Sequence, residues 1–220
     1  KTIVDVVSPT DSATLKTLDA SGSTGGLTLT ETAGTGGLVK LDSVTLGSGG
    51  DKLNLTLATA GSLVTKVNLG AGSDTLTLSD AVTAAGATAA TATIDNKALE
   101  ITLGAGSDTL VLSNATADGS LNTIQDTGDL TKGLITVADF KIGEDSINLG
   151  GTGKVLTKTV LDNAAAAATL SAAIAVVEAD IGVSKSAVFK YGTDSYVFIN
   201  NSVTGVGVND GLIKLVGVDA

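Results

Sequence analysis

The sequence has no cysteine, no methionine, no histidine and no tryptophan, and every one of its basic residues is a lysine. Without Cys or His there can be no disulfide, no thiolate or imidazole zinc site, no haem or iron–sulfur ligation, and no Ser–His or Cys–His catalytic pair. Without Arg there is no planar fork for phosphates or base edges, and no basic stripe follows a nucleic-acid backbone, so nucleic acid is not an expected partner. Asp, Glu, Lys, Ser and Thr remain for catalysis. A carboxylate pair could serve a glycosidase, but aromatic residues are only 2% of the chain, too few to line a sugar site. The expectation is a protein that is not an enzyme. The longest apolar run, 164–177, is mostly Ala and is interrupted by Thr169 and Ser171, so it is too short and too weakly apolar to span a bilayer. The opening residues, KTIVDVVSPTDS, lack a basic segment followed by an apolar one, so no signal peptide is read there.

What is present points to a thin, layered fold. Of 220 residues, 43% are hydrophobic, which is enough for a buried core, and 28 are Gly. The core must therefore come from Leu, Val, Ile and Ala in narrow layers, which suits a sandwich or solenoid better than a thick helical bundle. The net charge is −10, from 23 acidic and 13 basic residues, and a cation is the natural partner of such a surface.

The acidic residues are not scattered. Three segments repeat one pattern: DSVTLGSGGDKLNL at 42–55, TKVNLGAGSDTLTL at 65–78 and EITLGAGSDTLVL at 100–112. Each reads as strand, G-x-G-x-D turn, strand. A looser copy, ADFKIGEDSINL at 138–149, keeps Gly143 and Asp145, while an earlier glycine turn at 19–30 has Gly26 and Leu27 where the Asp would fall. The strands are predicted from alternation: Leu53, Leu55 and Leu57; Leu76 and Leu78; Leu110 and Leu112; and, approaching the turns, Leu63, Val67 and Leu69, then Leu99, Ile101 and Leu103. A second set of breakers, at 32–37, 58–62, 79–96 and 113–133, gives two turns per period, the logic of a flattened coil with two parallel sheets. The aspartates are separated by 23, 34 and 37 residues. The excess length falls in the second set of turns, which leaves the glycine-turn edge as the constrained one.

A G-x-G-x-D turn lets backbone carbonyls converge, because glycine admits positive φ, and its Asp adds negative charge at the same place. Stacked turns crowd these oxygens along one edge. Calcium accepts six to eight oxygen ligands in flexible geometry and would turn the repulsion into a cross-link, whereas magnesium demands a tighter octahedron. The expected ligands are Asp51, Asp74, Asp108 and Asp145, with carbonyls of Gly47, Gly49, Gly70, Gly72, Gly104 and Gly106 and the Gly143 turn; each ion would be shared between successive turns. Ordinary hairpin turns also use Gly and Asp, but three copies with Asp in one place and Leu two residues on favour the cation. A phosphate loop fits poorly, since no Walker Lys or following helix appears and Asp would repel phosphate.

These turns resemble the RTX nonapeptide, G-G-x-G-x-D followed by an apolar residue, over roughly 20–150. Here Leu46, Leu69 and Leu103 stand in place of the first glycine and the copies are widely spaced, which favours an irregular solenoid with loops. The segment IxVxDFKIGEDSINL, 135–149, is similar to the one that closes RTX regions of type I secreted proteins. The part after it, with a helix, the strand pair AVFKYGTDSYVFINN at 187–201 and the strand LIKLVGV at 212–218, resembles the tail of RTX-type surface-layer (S-layer) proteins of Gram-negative bacteria.

The resemblance implies an all-β, irregular calcium-binding parallel β-roll or β-solenoid over 1–149, and a small helix-plus-strands C-terminal cap over 150–220. It implies a secreted, cell-surface structural subunit that binds Ca2+ and self-associates into a lattice, with cell-surface polysaccharide held through regions outside this chain and an uncleaved C-terminal export signal. The alternative is the C-terminal RTX folding and secretion module of a larger type I secreted adhesin or hydrolase. From the residues alone, Leu170, Ile174, Val177 and Ile181 form one stripe of an amphipathic helix over about 160–181, ended by Gly182 and expected to pack on the end of the solenoid. Asp194, Asn209 and Asp210 are read in polar turns, where a further ion is one reading and the turns' own use of Asp and Asn is the favoured one.

Overall fold

Leucine at every second position of a short segment gives one apolar and one polar face, and such segments are stable only when the apolar faces meet. The computed structural model describes residues 2–3, 16–30, 42–57, 64–80, 98–113, 129–131, 133–149, 152–200, 205, 207 and 210–219. Leu63, Asn209 and most of the second set of turns lie outside these. In chain order the first strands are β1 (Thr2–Ile3), β2 (Thr17–Asp19), β3 (Leu27–Thr30), β4 (Ser43–Thr45), β5 (Lys52–Leu57), β6 (Lys66–Asn68), β7 (Thr75–Asp80), β8 (Leu99–Thr102), β9 (Thr109–Ser113), β10 (Ile135–Val137) and β11 (Ser146–Asn148).

From β2 to β11 the chain deals these strands alternately into two sheets. One sheet runs β1-β3-β5-β7-β9-β11 and the other carries β2, β4, β6, β8 and β10, with each strand parallel to its neighbours. The chain is thus mostly β, with parallel sheets, as the alternation predicts. The inward leucines Leu29, Leu53, Leu55, Leu76, Leu78, Leu110 and Leu112 meet Val44, Val67, Leu99, Ile101, Ile135 and Val137 from the opposite sheet in one buried cluster. Burial of each Leu is worth about 2 kcal/mol. Leu46, Leu69 and Leu103 are in the same cluster, which explains why Leu and not Gly precedes these turns: the position faces inward.

The second sheet continues into the C-terminal part. After β12 (Thr152–Gly153) come α1 (Lys158–Ala165), α2 (Leu170–Ile181), β13 (Lys185–Tyr191), β14 (Asp194–Asn200) and β15 (Gly211–Leu215). β15 lies parallel to β10, β14 antiparallel to β15, and β13 antiparallel to β14. The expected single helix over about 160–181 is in fact two. Thr169 is extended and its hydroxyl accepts from Ala172 N–H at 3.1 Å, so it starts a new helix where the run of alanines reads as continuous. Gly182 ends α2 with φ +74°, and its N–H donates to the Glu178 carbonyl.

The stripe is real, with Ile174, Val177 and Ile181 buried, but its place differs from the expectation. It packs with Phe189, Tyr196, Phe198 and Leu212 in a second cluster, on the helix side of β13–β15. Val197, Ile199, Ile213 and Leu215 of the same sheet belong to the first cluster. One sheet therefore serves two cores. Among the described residues no helix is long and apolar enough to cross a membrane.

Candidate metal centre

Register brings the glycine turns into a stack. The pairs Thr28↔Lys52, Lys52↔Thr75, Thr75↔Thr109 and Thr109↔Ser146 set the residues just before them, Leu27, Asp51, Asp74, Asp108 and Asp145, in one column. Leu27 holds the Asp position of its layer without a carboxylate, as the sequence predicts. The turns approach so closely that a methyl group on Gly47, Gly70, Gly72, Gly104 or Gly106 would run into a carbonyl oxygen of the turn before, and on Gly49 into the Gly25–Gly26 backbone. Gly70 and Gly104 also sit at φ +90° and +98°, which side chains rarely adopt. The carbonyl of Gly47 accepts from Ala71 N–H at 2.8 Å and that of Gly70 from Ala105 N–H at 3.1 Å. Asn68 supports the second turn, its Oδ1 accepting from Gly70 N–H at 3.0 Å.

The aspartates are deeply buried: Asp51, Asp74 and Asp108 are 1%, 2% and 1% exposed. Each spends one oxygen on the layer before. Asp51 Oδ1 accepts from Leu27 N–H at 2.6 Å, Asp74 Oδ1 from Asp51 N–H at 2.7 Å, and Asp108 Oδ1 from Asp74 N–H at 2.8 Å. The other oxygen, Oδ2, is buried on all three with no hydrogen-bond partner. An ionised oxygen in that position is costly unless a cation meets it.

Electrostatics express the same cost. Burial above all pushes the Asp74 carboxyl up to about 6; the N–H of Asp51 opposes this, and the charges of Asp108 and Asp51 add to it. Asp108 is raised too, first by burial, against the N–H of Asp74, and then by Asp145 and Asp139, with Lys141 pulling the other way. Parallel strands lie about 4.8 Å apart, so successive carboxylates are close neighbours in a poorly solvated edge.

No protein-family model matches the chain, and no curated protein is significantly similar to it. The chemistry must therefore be judged on the donor set. Side-chain oxygens with unspent lone pairs, stacked turns of backbone carbonyls and the absence of nitrogen or sulfur ligands suit a hard, oxygen-seeking cation of calcium's kind. Among the described residues no three acidic side chains converge. A cation here would draw carboxylate from one or two layers and complete its shell with carbonyls and water.

The fourth copy is built differently. Gly143, at φ +86°, has open space where a side chain would go, and Asp145 is only half-buried. Asp145 Oδ1 accepts from Asp108 N–H at 3.1 Å and Oδ2 from Lys141 N–H at 2.8 Å, so both its oxygens are engaged. Asp139, which the repeat pattern does not single out, accepts from Leu103 N–H and Gly104 N–H, both at 2.8 Å. The available signal was a second acid six residues before Asp145, in a copy lacking its first turn glycine. In the tail, Asp194 pairs with Lys214 at 2.8 Å and with Gly217 N–H at 2.9 Å, and Asp210 accepts from Gly207 N–H at 2.8 Å.

Proposed function

We propose that residues 1–149 are a calcium-binding parallel β-roll of the RTX type, and that the chain is a structural, non-enzymatic subunit of a bacterial surface layer that self-assembles outside the cell. One observation carries the calcium part: Asp51, Asp74 and Asp108 each keep a buried, unpartnered Oδ2 in a single column. The alternation of strands between two parallel sheets supports the roll. The surface-layer part rests on the resemblance of the turns and of the tail.

Calcium would be held by the Oδ2 atoms of Asp51, Asp74 and Asp108 together with turn carbonyls, Gly49 and Gly72 among them. It would neutralise the column and join layers that repel one another. Folding of this edge is then linked to external calcium by mass action. The test is calorimetric titration with calcium alongside electron microscopy in calcium and in chelator. Calcium uptake with two-dimensional sheets or higher oligomers is the expected result. Uptake by a stable monomer favours the secretion-module alternative, and no uptake refutes the calcium column.

A further inference from the structure

We infer that Asp139 and Asp145 are positioning residues that end the cation row and hold the last glycine turn in shape, and that neither is a cation ligand; this rests on the calcium reading above. In the interior layers the turn backbone is tied down by backbone carbonyls: Leu46 N–H donates to Asn68 O at 2.8 Å and Leu69 N–H to Thr102 O at 3.0 Å. At the corresponding place in the third turn, Leu103 N–H and Gly104 N–H instead meet the two oxygens of Asp139. A side chain has taken over the work of the next turn's backbone.

The same replacement occurs in the Asp column. Asp51, Asp74 and Asp108 each satisfy one donor and leave Oδ2 over, whereas Asp145 satisfies two, from Asp108 in the layer before and from Lys141 in its own turn. A carboxylate with both oxygens on backbone N–H groups has an accepting role for each oxygen without a metal. The fifth layer is thus closed by its own hydrogen bonds. It also fixes the peptide between Ser107 and Asp108, through Asp108 N–H, and the start of the Gly104 turn, so it presets the last cation position without touching the ion. Removal of residues that hold ligands in place typically weakens metal binding ten- to a hundredfold.

The experiment counts calcium ions bound by the full chain, by equilibrium dialysis, and follows amide hydrogen exchange in chelator. Asp108→Asn is expected to lower the ion count. Asp139→Asn and Asp145→Asn are expected to keep it, because an amide oxygen still accepts one N–H. Asp139→Ala and Asp145→Ala are expected to keep the count while weakening the last ion about tenfold, and to speed exchange at Leu103 and Gly104 or at Asp108, respectively, even without calcium. Loss of an ion in Asp145→Asn or Asp139→Asn, with normal uptake by the wild type, overturns the inference and leaves the calcium reading standing. No uptake by the wild type overturns the calcium reading; the positioning role then stands or falls on the exchange rates, and unchanged rates in Asp139→Ala refute it.

Discussion

The glycine-turn layers and the C-terminal part treat their acids in opposite ways. In the layers, Asp51, Asp74 and Asp108 are buried with an oxygen over, and the charges acting on Asp74 are those of Asp51 and Asp108. In the tail, four acids have lysine partners: Asp194 with Lys214 at 2.8 Å, Asp180 with Lys154 at 3.0 Å, Asp162 with Lys158 at 2.7 Å and Asp219 with Lys190 at 2.5 Å. The cores differ as well, since the layers are aliphatic while the tail stacks Phe189 on Tyr196 with ring centroids 5.7 Å apart. On the calcium reading the difference teaches which part is conditional: one region has lysines beside its acids, and the other would take its counter-charges from solution.

The largest expected effect comes from withdrawing calcium. At a thousandfold excess over its dissociation constant each bound ion stabilises the native state by about 4 kcal/mol. Chelator should therefore strip amide-exchange protection from 42–57, 64–80 and 98–113 and leave it over 185–199, as read by exchange and mass spectrometry. Equal loss in both regions would erase the contrast.

Next is Gly104→Ala. Its φ of +98° and the Gly70 carbonyl lying where the methyl group must go make this a cost of about 3 kcal/mol or more. Gly143→Ala, strained by φ +86° but meeting no atoms, should cost about 1 kcal/mol. Urea denaturation in calcium measures both. Similar values would mean that the stacking of turns contributes little.

Much of this was legible in the sequence because it is local. The Asp column follows from Gly and Leu at fixed offsets, and the layers follow from alternation of two. Asp139 was not legible: its work depends on which N–H groups lie across from it, and these are 35 and 36 residues away in the chain. The helix break was hidden for a related reason. Thr169 is tolerable inside a helix, and it is a cap here where α1 and α2 pack on each other and on β13.

Asp74 sharpens the comparison through its charge. Asp74→Asn keeps an oxygen for Asp51 N–H but removes the repelled anion, so in chelator at pH 7 it should stabilise the chain, by no more than about 3 kcal/mol, given a titration moved from 3.8 to about 6. In calcium it should do the reverse. Because the folded carboxyl holds its proton more tightly than the unfolded one, calcium-free stability is fullest below about 4 and falls as pH rises to about 6. Calcium affinity must run the other way, since the ion competes with that proton. Thermal melts of wild type and Asp74→Asn across pH 4–7, with and without calcium, test both signs; a pH-independent difference between the two proteins would refute the assignment.

The smallest effect belongs to the tail and has the opposite sign. The Lys214 ammonium, followed by Gly217 N–H, holds the Asp194 carboxyl below its ordinary value of 3.8. Its stabilisation is therefore present above that value and is lost as pH falls below it, the region where the calcium-free layers are at their firmest. The pair is partly open to solvent, so Lys214→Met should cost less than about 1 kcal/mol at pH 7. It should also cost nothing more in chelator than in calcium, because the pair lies outside the proposed Asp column. Melts of Lys214→Met at pH 7 and pH 3, each with and without calcium, check this. A calcium-dependent loss would couple the tail's ion pair to the Asp column through the β10–β15 seam and would end the separation of the molecule into a conditional and an unconditional part.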